Sequence, residues 1–318
     1  YSSSVTKTKS FLTLFREVKK LNTNTLSEMV DKFDEVDAIF AFFPKAQIGG
    51  PREILIQAVL LRIMVKFLET VSKNLCSIHE KEMLTKDRNK TEIQSDRMSE
   101  FRESVRMLSK KGKKCVFFSM NSDASKWSPA FVMENFMYFV DNWEIDDTLK
   151  NLLNTVVMSF NSKKMLVPEE LKEKWEKKPI EEKEYTQGVS SFRDMSYMYS
   201  YVVEIMSGMG QGMFHYLSSF YHCVMDDFVE DLTHDIIKVK HGVTMKETSL
   251  ISSDDKTKMS LMILDHENSN IDLALETYVS CLDCFSRLSN IHINWKKSGL
   301  NFIITEFNSL FSVGKRMI

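Results

Sequence analysis

Six consecutive residues, Leu250-Ile251-Ser252-Ser253-Asp254-Asp255, constrain this chain more than any other stretch. A strand-type run at 248–251 ends in two small serines and two adjacent carboxylates, and a second apolar run at 259–264 follows at once. Strand-type runs joined this tightly predict a β-hairpin with the carboxylate pair at its tip. Two other Asp-Asp pairs, Asp146-Asp147 and Asp226-Asp227, sit in amphipathic, helix-like surroundings. Solvated surface acids are the ordinary reading there, so the hairpin pair is the candidate for chemistry.

The 318 residues suffice for two or three subdomains with cores of their own. Phe (22) and Met (20) are plentiful while Gly (10) and Pro (5) are scarce, which favours helices over a turn-rich all-β fold. The net charge of -2 announces no nucleic-acid role, so any basic surface must be local. Of five cysteines, only Cys281 and Cys284 have metal-like spacing, and no second pair completes a site. Their helical surroundings predict buried thiols, and an odd count without a disulfide framework suits a reducing compartment. The most apolar stretch, 54–68, is interrupted by Gln57, Arg62 and Lys66, and is too short and charged to span a membrane. The chain starts at Tyr1 without a signal-peptide pattern, which suggests a fragment of something longer.

Taken in order, residues 10–43 predict two helices, with Val30, Phe33, Phe40 and Phe43 on one face. Lys45 and Arg52 then flank Gly49-Gly50-Pro51. A structural turn is the bland reading, but the Arg52 guanidinium is a planar fork suited to phosphate oxygens. A helix is expected to follow, with Ile54, Ala58, Leu61, Val65 and Leu68 facing inward. The charged stretch 77–114 reads as solvated helix and loop, ending in a basic turn of Lys110, Lys111, Lys113 and Lys114 around Gly112. That turn is either a solubilising loop or a phosphate contact. Residues 115–120 read as a buried strand running into Asp123-Ala124-Ser125-Lys126-Trp127. A carboxylate just past a buried strand is rigidly mounted and well placed to hold a metal.

Pro129 suits the first turn of a helix, with Val132, Phe136 and Phe139 inward. Residues 141–187 form a charged interval, with a helix expected from Pro168; we take it as an insertion between two catalytic segments. Gly208, Gly210 and Gly212 make a pliant loop around Gln211, and a helix follows on which Phe214, Leu217, Tyr221, Val224 and Phe228 share spacing. His215 and His222 on that helix read as packing or RNA-facing residues, not ligands. A helix is predicted over Ile271–Leu288, then an alternating strand at 291–295, the turn Lys296-Lys297-Ser298-Gly299, and a short strand at 302–305 entering Glu306. Two separated strand ends thus deliver carboxylates that could converge. Carboxylate oxygens suit Mg²⁺, and two such ions can clamp the attacking and leaving oxygens of a phosphoryl transfer.

In this order the stretches resemble the polymerase core of the L protein of segmented negative-strand RNA viruses, of the bunyavirus type, with the tospovirus and neighbouring branches most alike. Residues 45–54 resemble the fingers motif that precedes motif A. Asp123-Ala124-Ser125-Lys126-Trp127 resembles motif A, Gln211-Gly212 motif B, and Ser253-Asp254-Asp255 motif C. Lys296-Lys297 resembles motif D, and Glu306-Phe307-Asn308-Ser309 motif E. The likeness covers residues 40–318.

The resemblance implies a helix-rich α+β right-hand polymerase with a βαββαβ-like palm and a motif C hairpin. It implies a fingers-side region at 1–110, a palm at 111–300 with an inserted fingers segment near 141–205, and motif E leading towards a thumb at 301–318. It implies template-directed RNA synthesis with Mg²⁺, for which Mn²⁺ can substitute. Asp123, Asp254 and Asp255 would be catalytic and metal-holding, with Glu306 joining them. Lys45, Arg52, Lys126, Gln211, Gly212, Lys296 and Lys297 would face the nucleotide, and Lys110, Lys111, Lys113, Lys114 and Trp127 the RNA. The implied partners are genomic and antigenomic RNA, nucleoside triphosphates, viral nucleoprotein and the rest of the L protein, in the host cytoplasm and the virion, with no membrane. Endonuclease and cap-binding regions would lie elsewhere. The rival readings are a reverse transcriptase or DNA polymerase, and a non-catalytic RNA-binding module, which would leave the three aspartates without a purpose.

Overall fold

A computed structural model of the chain describes residues 38–45, 52–86, 89–167, 173, 202–205, 207–210, 212–266, 269–307, 310–313 and 316–317. The expected helices before residue 38, the glycine turn at 46–51, the helix from Pro168 and Gln211 lie outside the described residues. By packing, the described residues fall into two compact units. One comprises those of Tyr1–Glu69 and Ser128–Phe214, the other those of Thr70–Trp127 and His215–Ile318.

The first unit opens with β1 (Ile39–Lys45) and β2 (Arg52–Gln57), which pair antiparallel with Lys45 opposite Arg52. This corrects two expectations. Residues 39–43 are strand, not helix, because the run Ile-Phe-Ala-Phe-Phe is β-branched and aromatic and has a partner strand beside it. The helix expected from Ile54 begins later, as α1 (Val59–Ile78), in which Leu61, Val65 and Leu68 are buried as the spacing predicts. Helix α2 (Lys90–Lys110) and strand β3 (Cys115–Asp123) belong to the second unit. After the short α3 (Trp127–Ala130) come α4 (Met133–Asp141) and α5 (Asp147–Met158). The break before α4 leaves Val132 exposed at its N-cap, and Met133, Phe136 and Val140 face inward instead. Asp146 caps α5 by accepting the N–H groups of Thr148 and Leu149, a surface role as expected.

Strands β4 (Lys163–Leu166) and β5 (Val202–Ile205) complete a sheet of order β2-β1-β4-β5. Its core is aromatic. Phe160 packs edge-on against Phe40 at 5.4 Å and tilted against Phe214 at 4.3 Å, and Phe131 stacks on Phe136 at 4.0 Å. The glycine loop is anchored here: Lys163, buried, donates to the carbonyls of Phe160 and Gly208. Burial brings its ammonium down to about 8. Gly208 has φ +73°, and a Cβ there would lie 2.6 Å from the Ser128 carbonyl oxygen, so only glycine fits.

The second unit carries α6 (His215–His241), β6 (Val243–Ser252), β7 (Asp255–Leu264), α7 (Ile271–Leu288) and β8 (Gly299–Asn301). With β3 these make, in chain order, strand-helix-strand-strand-helix-strand, and an antiparallel sheet of order β6-β7-β3-β8. Helix α7 matches its predicted bounds. Leu282 is buried, and Ile271, Leu275, Val279 and Phe285 pack on the same core as Phe118, Met120, Val229 and Tyr278. A second core, with Met98 and Phe101 of α2 against Leu250, Met259 and Leu261, covers the other side. The sheet is therefore apolar on both faces, which is why its strands read as short continuous runs.

Four expectations fail in the helices, thiols and strands of this unit. On α6, Phe228 is exposed, and the buried face runs through Leu217, Tyr221, His222, Asp226 and Val229. Cys284 is exposed and Cys281 only half-buried, both free thiols. Residues 291–295 make one bridge, Ile293 to Ala124, and then turn. The strand expected at 302–305 is displaced because Asn301 accepts the N–H groups of Ile303 and Ile304, bending the chain. It resumes as β9 (Ile304–Phe307), which pairs with β10 (Leu310–Val313), itself paired with β11 (Arg316–Met317).

Candidate active site

Asp123 is the last residue of β3, rather than lying just past it, and stands opposite Asp255, the first residue of β7. Asp255 also pairs with Ser252, so the hairpin turn is the two residues Ser253 and Asp254. The sequence places both carboxylates at the tip; the structure puts Asp254 in the turn and Asp255 in the strand. Ser253 is the turn's left-handed residue, with φ +60°. Glycine is the usual choice there, so a serine needs support. Both of its backbone groups are held by α6. Its N–H donates to the Ser219 hydroxyl at 3.2 Å, and its carbonyl lies 2.7 Å from His222 Nδ1.

Glu306 reaches the same place from β9. Asn121 Nδ2 donates to its carboxylate at 3.2 Å, and the Thr257 hydroxyl donates to its backbone carbonyl. Asp123 Oδ2 accepts from Asn294 Nδ2 at 3.4 Å and lies 3.3 Å from Lys297 Nζ, while the Asp123 N–H donates to Ser298 Oγ. The side chains of Asp123, Asp255, Glu306, Asn121 and Lys297 line a cleft of about 230 Å³. Burial raises the Asp255 carboxyl above the usual carboxylate range, and the neighbouring charges of Asp254, Asp123 and Glu306 raise it further. Four carboxylates therefore act on one another at the open end of this sheet. A cation is what relieves such repulsion, and an all-oxygen donor set suits a hard divalent ion.

Asp226, expected at the surface, is buried at 1% exposure. It lies 3.1 Å from Lys81 and 3.2 Å from both Lys256 and Lys258, and accepts from Ser249 at 2.7 Å. Burial would raise its carboxyl, but the three lysines hold it well below the usual range. Glu247 is compensated by Lys258 at 3.3 Å, lies 3.1 Å from His234 and accepts from the Tyr278 hydroxyl at 2.7 Å; its carboxyl is held at about 2 against the cost of burial. Glu230, His234 and Glu247 converge closely enough to hold an ion. The Lys258 ammonium, 3.3 Å from both glutamates, already supplies that charge.

The other candidates are dispersed. Lys296 and Lys126 are exposed, the latter at φ +50°. Trp127 lies against His222, ring centroids 5.3 Å apart. Lys110, Lys111, Lys113 and Lys114 are exposed at the far end of β3, about 26 Å from Asp123 along the strand. Lys45, Arg52 and Gly212 belong to the first unit, and Gly212, at φ +82°, is open to solvent. Sequence reasoning passed over Asn121, Asn294 and Ser219, and read His222 only as a packing or RNA-facing residue; the contacts of all four depend on partners 31 to 185 positions away.

A family model described as bunyavirus RNA dependent RNA polymerase matches residues 2–317. The chain is 23% identical over 292 residues to the RNA-directed RNA polymerase L of Rice stripe virus (isolate T), across 85% of this chain and 10% of that protein. It is 24% identical over 296 residues to the RNA-directed RNA polymerase L of Bunyamwera virus, across 86% of this chain and 12% of that protein. The chain thus spans about a tenth of the length of these curated relatives.

Proposed function

The chain belongs to the bunyavirus RNA-dependent RNA polymerase family, and from that premise we propose that the acidic cleft of the second unit is the site of template-directed RNA synthesis by nucleotidyl transfer. The observation that carries the reading is the convergence of Asp123, Asp255 and Glu306 from three strands on one cleft, beside Asp254 in its turn. The donor set fits divalent metal, Mg²⁺ first and Mn²⁺ as a substitute, held by Asp123, Asp254 and Asp255 with Glu306 alongside. When bound, the ions supply charge neutralisation at the phosphates and a lowered pKa for the attacking hydroxyl. Asn294 orients the Asp123 carboxylate, and Asn121 orients Glu306. Lys297 holds Asp123 from the cleft's mouth at 69% exposure, so it is free to turn to a triphosphate.

On this reading the second unit is the palm. Lys45 and Arg52 belong to the stretch that resembles the fingers motif, whose expected role is phosphate contact, and Gly212 to the one that resembles motif B, whose expected role is to accommodate template and product. The templates are viral genomic and antigenomic RNA, presented with nucleoprotein, and the rest of an L protein completes the enzyme in the host cytoplasm and the virion. Primer extension by the full-length protein tests the assignment. Asp254→Ala should abolish nucleotide addition while RNA binding, which rests on phosphate contacts elsewhere, persists. Appreciable extension by that variant in Mg²⁺ or Mn²⁺ would sink it.

A further inference from the structure

Ser253 presents a problem that the hairpin does not solve alone. A left-handed φ is unfavourable for a residue with a Cβ, and this one stands next to Asp254. Its N–H and its carbonyl are both tied to one face of α6, to Ser219 and His222. Ser219 is buried, and its hydroxyl is also 3.4 Å from Glu82. The His222 ring is buried, with Nδ1 towards the Ser253 carbonyl and Nε2 without a hydrogen-bond partner among the described residues. A carbonyl only accepts, so Nδ1 must carry the proton. Trp127, four residues beyond Asp123, lies against the ring at 5.3 Å with planes 36° apart. The imidazole thus touches the chain just after one metal-facing aspartate and just before another.

We propose that His222 is a positioning residue, acting with Ser219: its Nδ1–H holds Ser253 in the left-handed state and so sets where Asp254 stands relative to Asp123. This rests on the polymerase reading for the reaction affected, but the clamp itself concerns only the position of the metal-holding turn. Asn is the conservative replacement, since its amide nitrogen falls near the position of Nδ1, whereas the Gln amide extends towards Nε2. Phe keeps the packing on Trp127 and removes the donor.

The test is a set of variants in the full-length protein, read in two ways: primer extension against Mg²⁺ concentration, and direct titration with Mn²⁺ without RNA. His222→Phe and His222→Gln should raise the half-saturating metal concentration and lower kcat roughly ten- to a hundredfold, the range for groups that orient ligands. The nucleotide KM should change much less. His222→Asn should restore both readouts to near wild type. Ser253→Gly removes the need for support, because glycine takes positive φ freely. In that background His222→Phe should cost only about threefold. Where the Phe variant does not fold, the Asn and Gln pair decides. Asn as damaging as Gln, or a folded Phe variant with wild-type metal dependence, overturns the clamp, as does an equal loss in both Ser253 backgrounds. If wild type fails to extend a primer while Mn²⁺ affinity follows this pattern, the clamp stands and the polymerase reading falls.

Discussion

Two charged clusters share strand β7 and treat charge in opposite ways. Lys256 and Lys258 turn to α6, where they and Lys81 surround Asp226 in the protein interior. Asp255 lines the cleft, and Thr257, which bonds the Glu306 carbonyl, lines it too. In the first cluster every described carboxylate has an ammonium within 3.3 Å. In the second, the acids push the Asp255 carboxyl upward. The difference separates two uses of buried charge. A compensated network holds helix to sheet; one with a surplus of acid suits a cation, as the proposed function requires.

The largest effect should come from breaking the compensated side. Asp226→Ala leaves three buried lysines without their shared acid, and should cost about 3–5 kcal/mol in denaturant unfolding, the usual range for a broken buried pair. A loss under about 1 kcal/mol would mean that the network is wetter than its burial implies. Next in size, Glu306→Gln keeps the shape of the cleft and removes one of its charges. Turnover should fall roughly ten- to a hundredfold, with a raised Mg²⁺ requirement and an unchanged melting temperature. A wild-type Mg²⁺ titration would remove Glu306 from the site.

The smallest effect is the most diagnostic. Asp255→Asn should inactivate the enzyme yet raise the metal-free melting temperature by about 1–2 °C, because it relieves repulsion at a partly exposed group. The pH dependence has opposite signs in the two clusters. The depressed Asp226 contributes stability above the ordinary carboxylate pKa of about 3.9, and that stability is lost as pH falls through its folded value. The raised Asp255 imposes a penalty above its folded pKa, which is relieved as pH falls from there to the unfolded value. Over the same interval a proton competes with metal, so half-saturating Mg²⁺ should rise as pH drops. A metal requirement independent of pH there would contradict the shared field of the acids.

Local pattern made much of this legible. Helix α7 and the β6–β7 hairpin announce themselves because their periodicity lies within one segment. Asp123, Asp254 and Asp255 could be chosen because they end strand-type runs, whereas Glu306 could be chosen from the resemblance of its stretch to motif E. Asp226 could not, since nothing in an amphipathic helix signals that lysines 30 and 145 positions away will meet it. The segment 291–295 misled for a related reason: it alternates like a strand, but the His292 carbonyl accepts the Ser125 N–H and the Asn294 N–H donates to the Asp123 carbonyl at the end of β3, for a single bridge. Residues 39–43 carry helical spacing and β-favouring side chains together, and the neighbouring strand decided between them.

The two-residue turn also limits what lengths of chain this region can tolerate. Side chains on a strand alternate between faces, so a register shift of one exchanges every pair. One residue inserted at or deleted from Ser253-Asp254 would carry Lys256 to the cleft and Asp255 towards Asp226. The acidic cleft would become basic, and a buried salt bridge would become a pair of repelling acids. Point substitutions here can fail by degrees, whereas a single-codon insertion or deletion fails in catalysis and stability at once. Variation in length among functional relatives should therefore avoid this turn and collect in other connections.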